Sequence, residues 1–330
     1  MQLVINTYGS YLRRNGECFL VKHIPEGEKE EKTFEVSSRK VSSIMITTSA
    51  YISTDAVKLA VDSNIDLIFL DKFGDPYGRV WHSKLGSTVL IRRRQLEIAE
   101  TEKGLEMAKE WIARKFDNQI DFLDKLKNSR KGKEEEIEKY TGMLNEIKNK
   151  LLSLEGNLEE KRGSLMGLEG SGGRVYFEAL SFIMPDRYKF DGRSRQPAKD
   201  EFNCMLNYGY GVLYSLVEKA CIIAGLDPYV GFIHTDNYNK KSFVFDLIEM
   251  FRIFADKTTV HLFTQRRVKQ EYFDKVRGGL TLNKDGKAVL IEALNKMLDE
   301  SIRYKGRNIK NKDIVQFECH NIANSLIGKN

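Results

Sequence analysis

The hydrophobic period of the chain changes between residues 81 and 90, and this change limits the possible folds more than any other feature. Before it, short apolar runs rich in Val, Ile, Thr and Tyr are separated by turn residues, which is typical of β-strands. After it, apolar residues recur every three or four positions, as they do along helices. With 330 residues the chain is long enough for two domains. We therefore predict an α+β chain, with a small N-terminal β-sheet domain (residues 1–86) followed by a larger all-helical domain (residues 87–330).

The N-terminal segments carry local signals for strands, a hairpin and one helix. Two apolar stretches within residues 3–23 flank an Arg-Asn-Gly turn, which indicates a hairpin. Residues 32–53 are rich in strand-forming side chains. Residues 54–71 begin as a short amphipathic helix, capped by Thr54 or Asp55, and continue into an apolar run typical of a buried strand.

The rest of the chain is predicted to be almost wholly helical. Residues 133–152 carry a narrow apolar stripe between charged residues, so we expect a helix that is exposed over most of its surface. Apolar spacing predicts further helices at residues 157–182, 200–224, 242–256, 260–275, 286–304 and 311–327.

Positive charge is concentrated in the last 73 residues. Lys and Arg balance Asp and Glu in residues 1–84 (11 against 11) and 85–257 (28 against 28), whereas residues 258–330 hold 14 against 8. The whole formal net charge of +6 therefore lies in this segment. Such a local excess suits a surface that binds phosphates, because each contact releases condensed counterions. A solvated basic tail without a ligand explains the same charge.

Several classes of function are disfavoured by the patterns that the sequence lacks. No apolar run approaches the ~20 residues that cross a bilayer, and the first residues do not form a secretion signal. The four cysteines are scattered and form no CxxC, so we expect no disulfide framework and a reducing, cytoplasmic environment. Patterns for a serine-hydrolase elbow, a zinc protease and a nucleotide-binding loop are also missing from the sequence.

Two acids and a histidine lie close together in an apolar part of the sequence. His234 ends the short run GFIH, and after a polar loop the segment SFVFDLIEMFRIFADK follows. Asp246 and Glu249 are three residues apart, so they share one face of a helix. Burying two acids there without partners would be expensive. A metal site is one explanation, and ion pairs with Arg252 or Lys257 are the other.

A third acid, Glu169, lies among glycines within a predicted helix. Glycine inside a helix costs about 0.5–1 kcal/mol relative to alanine, so this number of glycines requires a reason. A ligand that approaches the backbone is one reason, and tight helix–helix packing is another; the two are compatible. The glycines concerned are Gly163, Gly167, Gly170, Gly172 and Gly173.

These polar residues are suited to phosphoryl transfer with a bound metal ion. Carboxylates together with one imidazole favour Mg²⁺ or Mn²⁺ over metals that prefer thiolates. Such an ion would activate an oxygen nucleophile and offset charge in the transition state.

Five motifs, in this order, resemble the universal CRISPR adaptation integrase, the large metal-dependent nuclease subunit of the spacer-acquisition complex. The resemblance extends from about residue 8 to residue 257 and is weaker in the basic tail. The motifs are GRVWHSKLGSTVLIRRRQ, GLEGSGGRVYF, DEFNCMLNYGYGVLYS, AGLDPYVGFIH and SFVFDLIEMFR.

The resemblance implies a set of site residues. The family's metal ligands correspond to Glu169, His234 and Glu249, which would bind Mg²⁺ or Mn²⁺, and Asp246 corresponds to an acid that supports the site. These four residues form the expected catalytic set. For contacts with nucleic acid we expect the arginines Arg174, Arg252, Arg266 and Arg267.

The resemblance also implies an activity and partners. The protein would insert short DNA fragments as spacers into a CRISPR array, by attack of 3′-hydroxyls on phosphodiesters, and would act on double-stranded and branched DNA. It would form a homodimer through the β domain and assemble with a small ferredoxin-like CRISPR-associated protein. The two-sided apolar strands of the β domain, which one small layer cannot cover, favour the dimer as well.

Two other functions are compatible with the same residues. One is a non-catalytic nucleic-acid-binding scaffold, in which the acid clusters are structural ion pairs. The other is a metallohydrolase that acts on a small phosphate ester, although the basic C-terminal segment argues against it.

Overall fold

The computed structural model describes the chain apart from residues 26, 29, 42, 64, 81–88, 131, 236–239 and 330. The predicted domain boundary between residues 86 and 87 lies outside the described residues, as does most of the loop after His234. Within them, a β-sheet region is followed by a mostly helical region, which confirms the predicted α+β class.

Eight strands and one helix form the N-terminal region in the part of the chain that the structure describes. One sheet has the order β1-β5-β7-β8 and the other the order β4-β3-β2-β6. The predicted hairpin is the antiparallel pair β2–β3. The helix is capped by Ser53, whose side chain accepts the backbone N–H of Ala56, and not by Thr54 or Asp55. The elements are β1 (Gln2–Ile5), β2 (Ser10–Asn15), β3 (Cys18–His23), β4 (Lys32–Ser37), β5 (Ser43–Ile46), β6 (Ala50–Ile52), α1 (Thr54–Asp62), β7 (Asp66–Leu70) and β8 (Pro76–Val80).

The first sheet is buried on both faces because its strands alternate between two cores. Ile44 and Leu67 face the core of the N-terminal region, which the two sheets and α1 enclose. Met45, Ile68 and Leu70 face the opposite way, into the core of the helical region. Helices of the same chain therefore cover the second apolar face, and the two-sided strands do not require a partner subunit.

Nine helices follow among the described residues. Helix α4 has the predicted narrow stripe, since only four of its residues are buried. None of the described helices is long and apolar enough to cross a membrane. The helices are α2 (Val89–Ile98), α3 (Glu102–Lys127), α4 (Glu134–Leu152), α5 (Leu158–Ile183), α6 (Glu201–Ile223), α7 (Ser242–Ile248), α8 (Ile253–Thr264), α9 (Lys284–Asp299) and α10 (Asn311–Leu326).

Three helix predictions were wrong in their extent. The segment predicted as one helix at 242–256 is broken, because α7 ends at Ile248 and α8 begins at Ile253. The helices predicted at 260–275 and 286–304 end at Thr264 and Asp299, and a short hairpin follows each of them. The hairpins are β9 (Phe273–Val276) with β10 (Gly279–Leu282), and β11 (Ser301–Tyr304) with β12 (Arg307–Lys310). The helical region therefore contains two antiparallel hairpins.

One close backbone approach links the two regions. A side chain on Gly211 of α6 would place its Cβ 2.0 Å from the carbonyl oxygen of Gly74, in the turn between β7 and β8. Gly74 itself has a φ of +93°, a conformation that favours glycine. The N-terminal sheet and α6 therefore meet backbone to backbone at this point.

Candidate metal and nucleic-acid site

Asp246 organises the segment that carries His234. Its fully buried carboxylate accepts the backbone N–H groups of Phe232 (2.6 Å), Ile233 (3.0 Å) and His234 (2.9 Å). Its Oδ1 also lies 2.7 Å from Nδ1 of His234. An ionised carboxylate only accepts hydrogen bonds, so Nδ1 carries the proton and the lone pair of the imidazole is on Nε2. Burial raises the pKa of Asp246, and the hydrogen bonds from His234 and the backbone oppose the rise.

Lys115 joins the two acids that were predicted as metal ligands. Its Nζ contacts Oε1 of Glu169 and lies 2.7 Å from Oε2 of Glu249. Lys115 belongs to α3 and Glu169 to α5, while Glu249 directly follows α7. The side chains of Lys115 and Glu249 are 6 % and 5 % exposed, whereas that of Glu169 is 29 % exposed. Three distant parts of the sequence thus supply one charge cluster that is open to solvent on the Glu169 side.

Arg252 holds Glu249 from another direction. Its Nη2 lies 2.8 Å from Oε1 of Glu249, and its guanidinium lies 4.8 Å from the ring centre of Tyr210. Tyr210 donates its hydroxyl to Asp256 at 2.6 Å, and Tyr176 donates to the same carboxylate at 3.2 Å. The ion pair that the sequence suggested for Glu249 and Arg252 is therefore present, and it continues into a buried hydrogen-bond network.

The groups of this cluster respond differently to burial. Burial alone would lower the pKa of Lys115, but Glu249 and Glu169 raise it above its usual range. Burial acts to raise the pKa of Glu249, but Arg252 and Lys115 outweigh it, so this pKa is lowered. At Asp256 burial prevails over the hydrogen bond from Tyr210, and the pKa rises to about 6.

The donor set suits a divalent cation, although the three predicted ligands do not surround one point. No group of three or more His, Cys, Asp and Glu side chains among the described residues is placed to hold a metal ion. Instead, the Lys115 ammonium lies where the two carboxylates converge. Two observations support the fit of Mg²⁺ or Mn²⁺. Oε2 of Glu249 is buried and, although Lys115 lies beside it, accepts no hydrogen bond of regular geometry. Asp246 contacts only Nδ1 of His234, which leaves Nε2 for a metal ion.

Four of the five glycines near Glu169 fall into two groups, and the fifth, Gly173, would place its Cβ 4.0 Å from Oε1 of Glu169. Gly172 packs against the ring of Phe116, where a Cβ would lie 2.3 Å from a ring carbon. Gly163, Gly167 and Gly170 are exposed, and no described atom lies within 4 Å of where their Cβ would stand. Helix packing explains Gly172, and the other three leave the backbone of α5 accessible to a ligand.

The predicted nucleic-acid-binding arginines do not form one cluster. Arg174 is exposed on α5, the helix that carries Glu169, and Arg252 contacts Glu249. Arg266 and Arg267 are exposed beyond the end of α8, which is about 18 Å long. The structure thus places Arg252 in contact with Glu249, and Arg266 and Arg267 about one helix length from Arg252, whereas Arg174, five positions after Glu169, faces a different side of α5.

A groove of about 590 Å³ adjoins the residues that follow Glu249. Its walls come from α3, from the segment that includes α8, from strand β11 with the preceding Glu300, and from the adjoining ends of α9 and α10. Burial, and then the charge of Lys125, lower the pKa of Lys257. The groove combines apolar side chains with basic ones; among them are Phe122, Ile302, Tyr304, Arg114, Lys125, Lys257 and His261.

Comparison with known proteins gives a family. The family model of the CRISPR associated protein Cas1 matches residues 3–296 of the chain. The chain belongs to the Cas1 family. It is 33 % identical over 341 residues to the CRISPR-associated endonuclease Cas1 1 of Archaeoglobus fulgidus, a match that covers 100 % of this chain and 97 % of the relative. The family resemblance inferred from the motifs is confirmed.

Solved structures share the Cas1 fold over the whole chain. A casposase bound to integration product superposes with a TM-score of 0.86 at 22 % identity, covering 100 % of this chain and 91 % of that one. A Cas1 protein from Thermotoga maritima superposes with a TM-score of 0.81 at 22 % identity, covering 100 % and 98 %. At this identity the likeness concerns the fold.

The motif LNYGYGVLYS of this Cas1 family member has a structural explanation. Gly209 faces the Cβ of Ala255 on α8 at 3.2 Å, and Gly211 faces Gly74. Between the two glycines, Tyr210 reaches Arg252 and Asp256. The sequence motif gave a signal for this helix, whereas no pattern in the sequence pointed to Lys115 or Asp256.

Proposed function

We propose that this chain is a metal-dependent DNA endonuclease and integrase, which inserts short DNA fragments as spacers into a CRISPR array. The observation that carries the proposal is the convergence of Glu169 and Glu249 on one cationic group, in a chain whose His234 is already oriented by Asp246. The name of the Archaeoglobus relative, an endonuclease, supports the class of reaction. The integration product in the casposase structure supports it as well.

In this proposal Glu169, His234 and Glu249 hold Mg²⁺ or Mn²⁺. Once bound, the ion supplies Lewis-acid stabilisation of the charge that develops on the phosphate oxygens. His234 uses Nε2, because Asp246 occupies Nδ1 and holds the ring in place. Arg252 helps to keep Glu249 ionised, since Arg252 and Lys115 together outweigh the effect of burial on the pKa of that carboxyl.

The reaction itself exchanges one phosphodiester for another. The oxygen of a DNA 3′-hydroxyl forms a bond to the target phosphorus and loses its proton, while the bond from phosphorus to the leaving 3′-oxygen breaks and that oxygen gains a proton. In hydrolysis, water replaces the attacking hydroxyl. Thiol chemistry is disfavoured, because burial raises the pKa of Cys204 to about 12 and also raises those of Cys18, Cys221 and Cys319.

Double-stranded and branched DNA are the proposed substrates. Arg174 and the open positions Gly163, Gly167 and Gly170 lie on one exposed face of α5, where a phosphate backbone can approach the helix that carries Glu169. The groove with Lys125 and Lys257 offers basic groups together with aromatic ones, a combination that suits single-stranded segments. Homodimerisation through the N-terminal region and a small ferredoxin-like partner are further parts of the proposal, which the motifs imply.

Single substitutions at the proposed ligands test this function. Glu169→Ala, His234→Ala and Glu249→Ala should each reduce cleavage and integration by about a hundredfold or more, and leave duplex affinity nearly unchanged. The matched control is Glu178→Ala, which removes an exposed acid from the same helix as Glu169. Full activity of the His234 variant with metal present would exclude the three-ligand site.

Two outcomes would favour the other candidate functions. DNA binding without any Mg²⁺- or Mn²⁺-dependent strand cleavage would favour a scaffold. Turnover of a chromogenic phosphodiester that excess DNA does not inhibit would favour a hydrolase of small phosphate esters.

A further inference from the structure

We propose that Lys115 is a built-in counter-cation of Glu169 and Glu249, and that a divalent cation must displace its ammonium to bind there. This inference rests on the proposed metal site. It adds a residue that acts on metal binding through the two carboxylates, and it gives the metal-free protein a defined, charge-balanced state.

The position of Lys115 is the first argument. Nζ contacts Oε1 of Glu169 and lies 2.7 Å from Oε2 of Glu249, so the ammonium stands between the oxygens that a metal ion would use. The side chain is 6 % exposed, and a buried ammonium needs such partners to stay charged. Oε2 of Glu249 accepts no hydrogen bond of regular geometry, so departure of the ammonium would leave it available to a metal ion.

The charges of the cluster are the second argument. Glu169 and Glu249 carry two negative charges, and Lys115 and Arg252 carry two positive ones, so the four groups are neutral together. If Lys115 stayed in place, a divalent cation between the carboxylates would bring the cluster to four positive charges against two negative ones within a few ångströms. Repulsion at such distances is strong in a poorly hydrated site, so ion and ammonium exclude each other.

Lys115 also has a route by which its ammonium can leave. The lysine stem is flexible, so the charged end can move while the methylene groups stay packed. Glu169, on one side of the ammonium, is 29 % exposed, whereas Glu249, on the other, is 5 % exposed. The ammonium can therefore move toward the solvent side, where it remains close to an incoming phosphate.

Two measurable consequences follow from this exclusion. Without the Lys115 charge, the metal-free protein must hold two carboxylates with too little positive charge between them, so it should be less stable. The same change removes the competitor of the metal ion, so Mn²⁺ should bind more tightly. A merely structural lysine would give the first effect without the second.

The experiment compares Lys115→Met with the control Lys109→Met in the full-length protein. Lys109 lies on the same helix and is equally buried, but it binds Glu106 at 2.7 Å and the carbonyl of Leu154 at 2.8 Å. Mn²⁺ affinity is measured from the electron paramagnetic resonance signal of free Mn²⁺. Thermal unfolding is recorded with EDTA and with saturating Mn²⁺.

We expect Lys115→Met to bind Mn²⁺ about tenfold more tightly than the wild type, and Lys109→Met to bind it with unchanged affinity. The stability that Lys115→Met loses in EDTA should return in Mn²⁺. Lys115→Gln, which retains a polar group, serves the same comparison if the methionine variant does not fold. Lys115→Arg, which keeps the charge, should bind Mn²⁺ as weakly as the wild type.

The control Glu249→Gln separates this inference from the proposed function. If Glu249→Gln abolishes Mn²⁺ binding while Lys115→Met binds Mn²⁺ as the wild type does or more weakly, the role of Lys115 is overturned and the metal site stands. Absence of any Glu249-dependent Mn²⁺ binding, in the wild type and in Lys115→Met alike, would overturn the metal site and this inference with it.

Discussion

Nδ1 of His234 lies 2.7 Å from Oδ1 of Asp246, and the same carboxylate accepts the backbone N–H of His234 at 2.9 Å. One buried acid therefore fixes both the path of the segment and the orientation of the ring. A histidine with Nδ1 engaged in this way presents Nε2 to a metal ion. Which ring nitrogen of His234 carries the proton therefore depends on whether residue 246 can accept a hydrogen bond.

Asp246→Asn should weaken Mn²⁺ binding by about tenfold or more and leave DNA affinity nearly unchanged. The amide oxygen can keep the hydrogen bonds from Phe232 and Ile233, but its NH₂ group then faces His234. Nδ1 must accept that hydrogen bond, so the ring proton moves to Nε2, the atom proposed to bind metal. Mn²⁺ titration and fluorescence anisotropy with a labelled duplex measure the two affinities.

Asp117→Asn is the control for this substitution, because Asp117 forms an exposed ion pair with Lys148. Unchanged Mn²⁺ affinity of Asp246→Asn would argue against His234 as a ligand.

The wild type should lose stability relative to Asp256→Asn as the pH rises from about 4 to about 6. Burial raises the pKa of Asp256 from 3.8 to about 6, so in this range the folded protein keeps a proton that the unfolded chain has lost. The folded state then binds more protons, so the free energy of unfolding decreases with rising pH, by about 3 kcal/mol at most. Urea unfolding of both proteins at several pH values measures the difference. A difference that does not vary with pH would show that Asp256 is ionised throughout.

DNA affinity should fall with salt, with a log–log slope of about −0.9 for each neutralised phosphate. Arg266→Glu together with Arg267→Glu should weaken binding to all sequences alike, because phosphates carry no sequence information directly. These residues lie one helix length from Arg252, so the rate of cleavage at saturating DNA should stay close to that of the wild type. Anisotropy titrations and single-turnover cleavage measure the two effects. Binding that does not change between low and moderate salt would contradict the electrostatic interpretation.

Replacing two exposed tyrosines with acids should lower the dimer fraction. Tyr11 and Tyr51 lie on neighbouring strands, with ring centres 6.4 Å apart and exposures of 40 % and 67 %. Aromatic side chains of this kind are common in interfaces, and neither residue belongs to a core, so Tyr11→Glu with Tyr51→Glu should remain folded. Sedimentation velocity over a range of concentrations measures the dimer. Tyr77→Glu, 71 % exposed on the other sheet, is the control. A wild type that is always monomeric would contradict the proposed dimer.

Local patterns predicted the elements that local interactions determine. The Arg-Asn-Gly turn correctly predicted the β2–β3 hairpin, and the narrow apolar stripe of residues 133–152 correctly predicted α4. The missed hairpin β11–β12 also had a local signal, the glycine of the Lys305–Gly306 pair. These two residues form its two-residue turn, and both adopt a positive φ. The apolar spacing of residues 286–304 continues across the end of α9 and obscured that signal.

The charge cluster was only partly predictable, because it depends on contacts between distant segments. Glu169, His234, Asp246 and Glu249 were found through the family motifs. In the sequence, Lys115 looks like any surface lysine of an amphipathic helix. Its burial depends on Glu169 and Glu249, which come much later in the chain. No pattern in the sequence indicated that Asp246 binds three backbone N–H groups. Asp246→Ala would leave these groups unpaired, at a stability cost of about 1–3 kcal/mol for each.

The contact between Gly74 and Gly211 has a mechanical consequence. With no side chain between them, the β7–β8 turn and α6 cannot slide past each other without a collision of backbone atoms. A force applied to the N-terminal sheet is therefore transmitted directly to α6, because no flexible side chain lies between the two backbones. The adjacent residue of that helix, Tyr210, rests on Arg252, so strain at a subunit contact would reach the acid cluster along a rigid path.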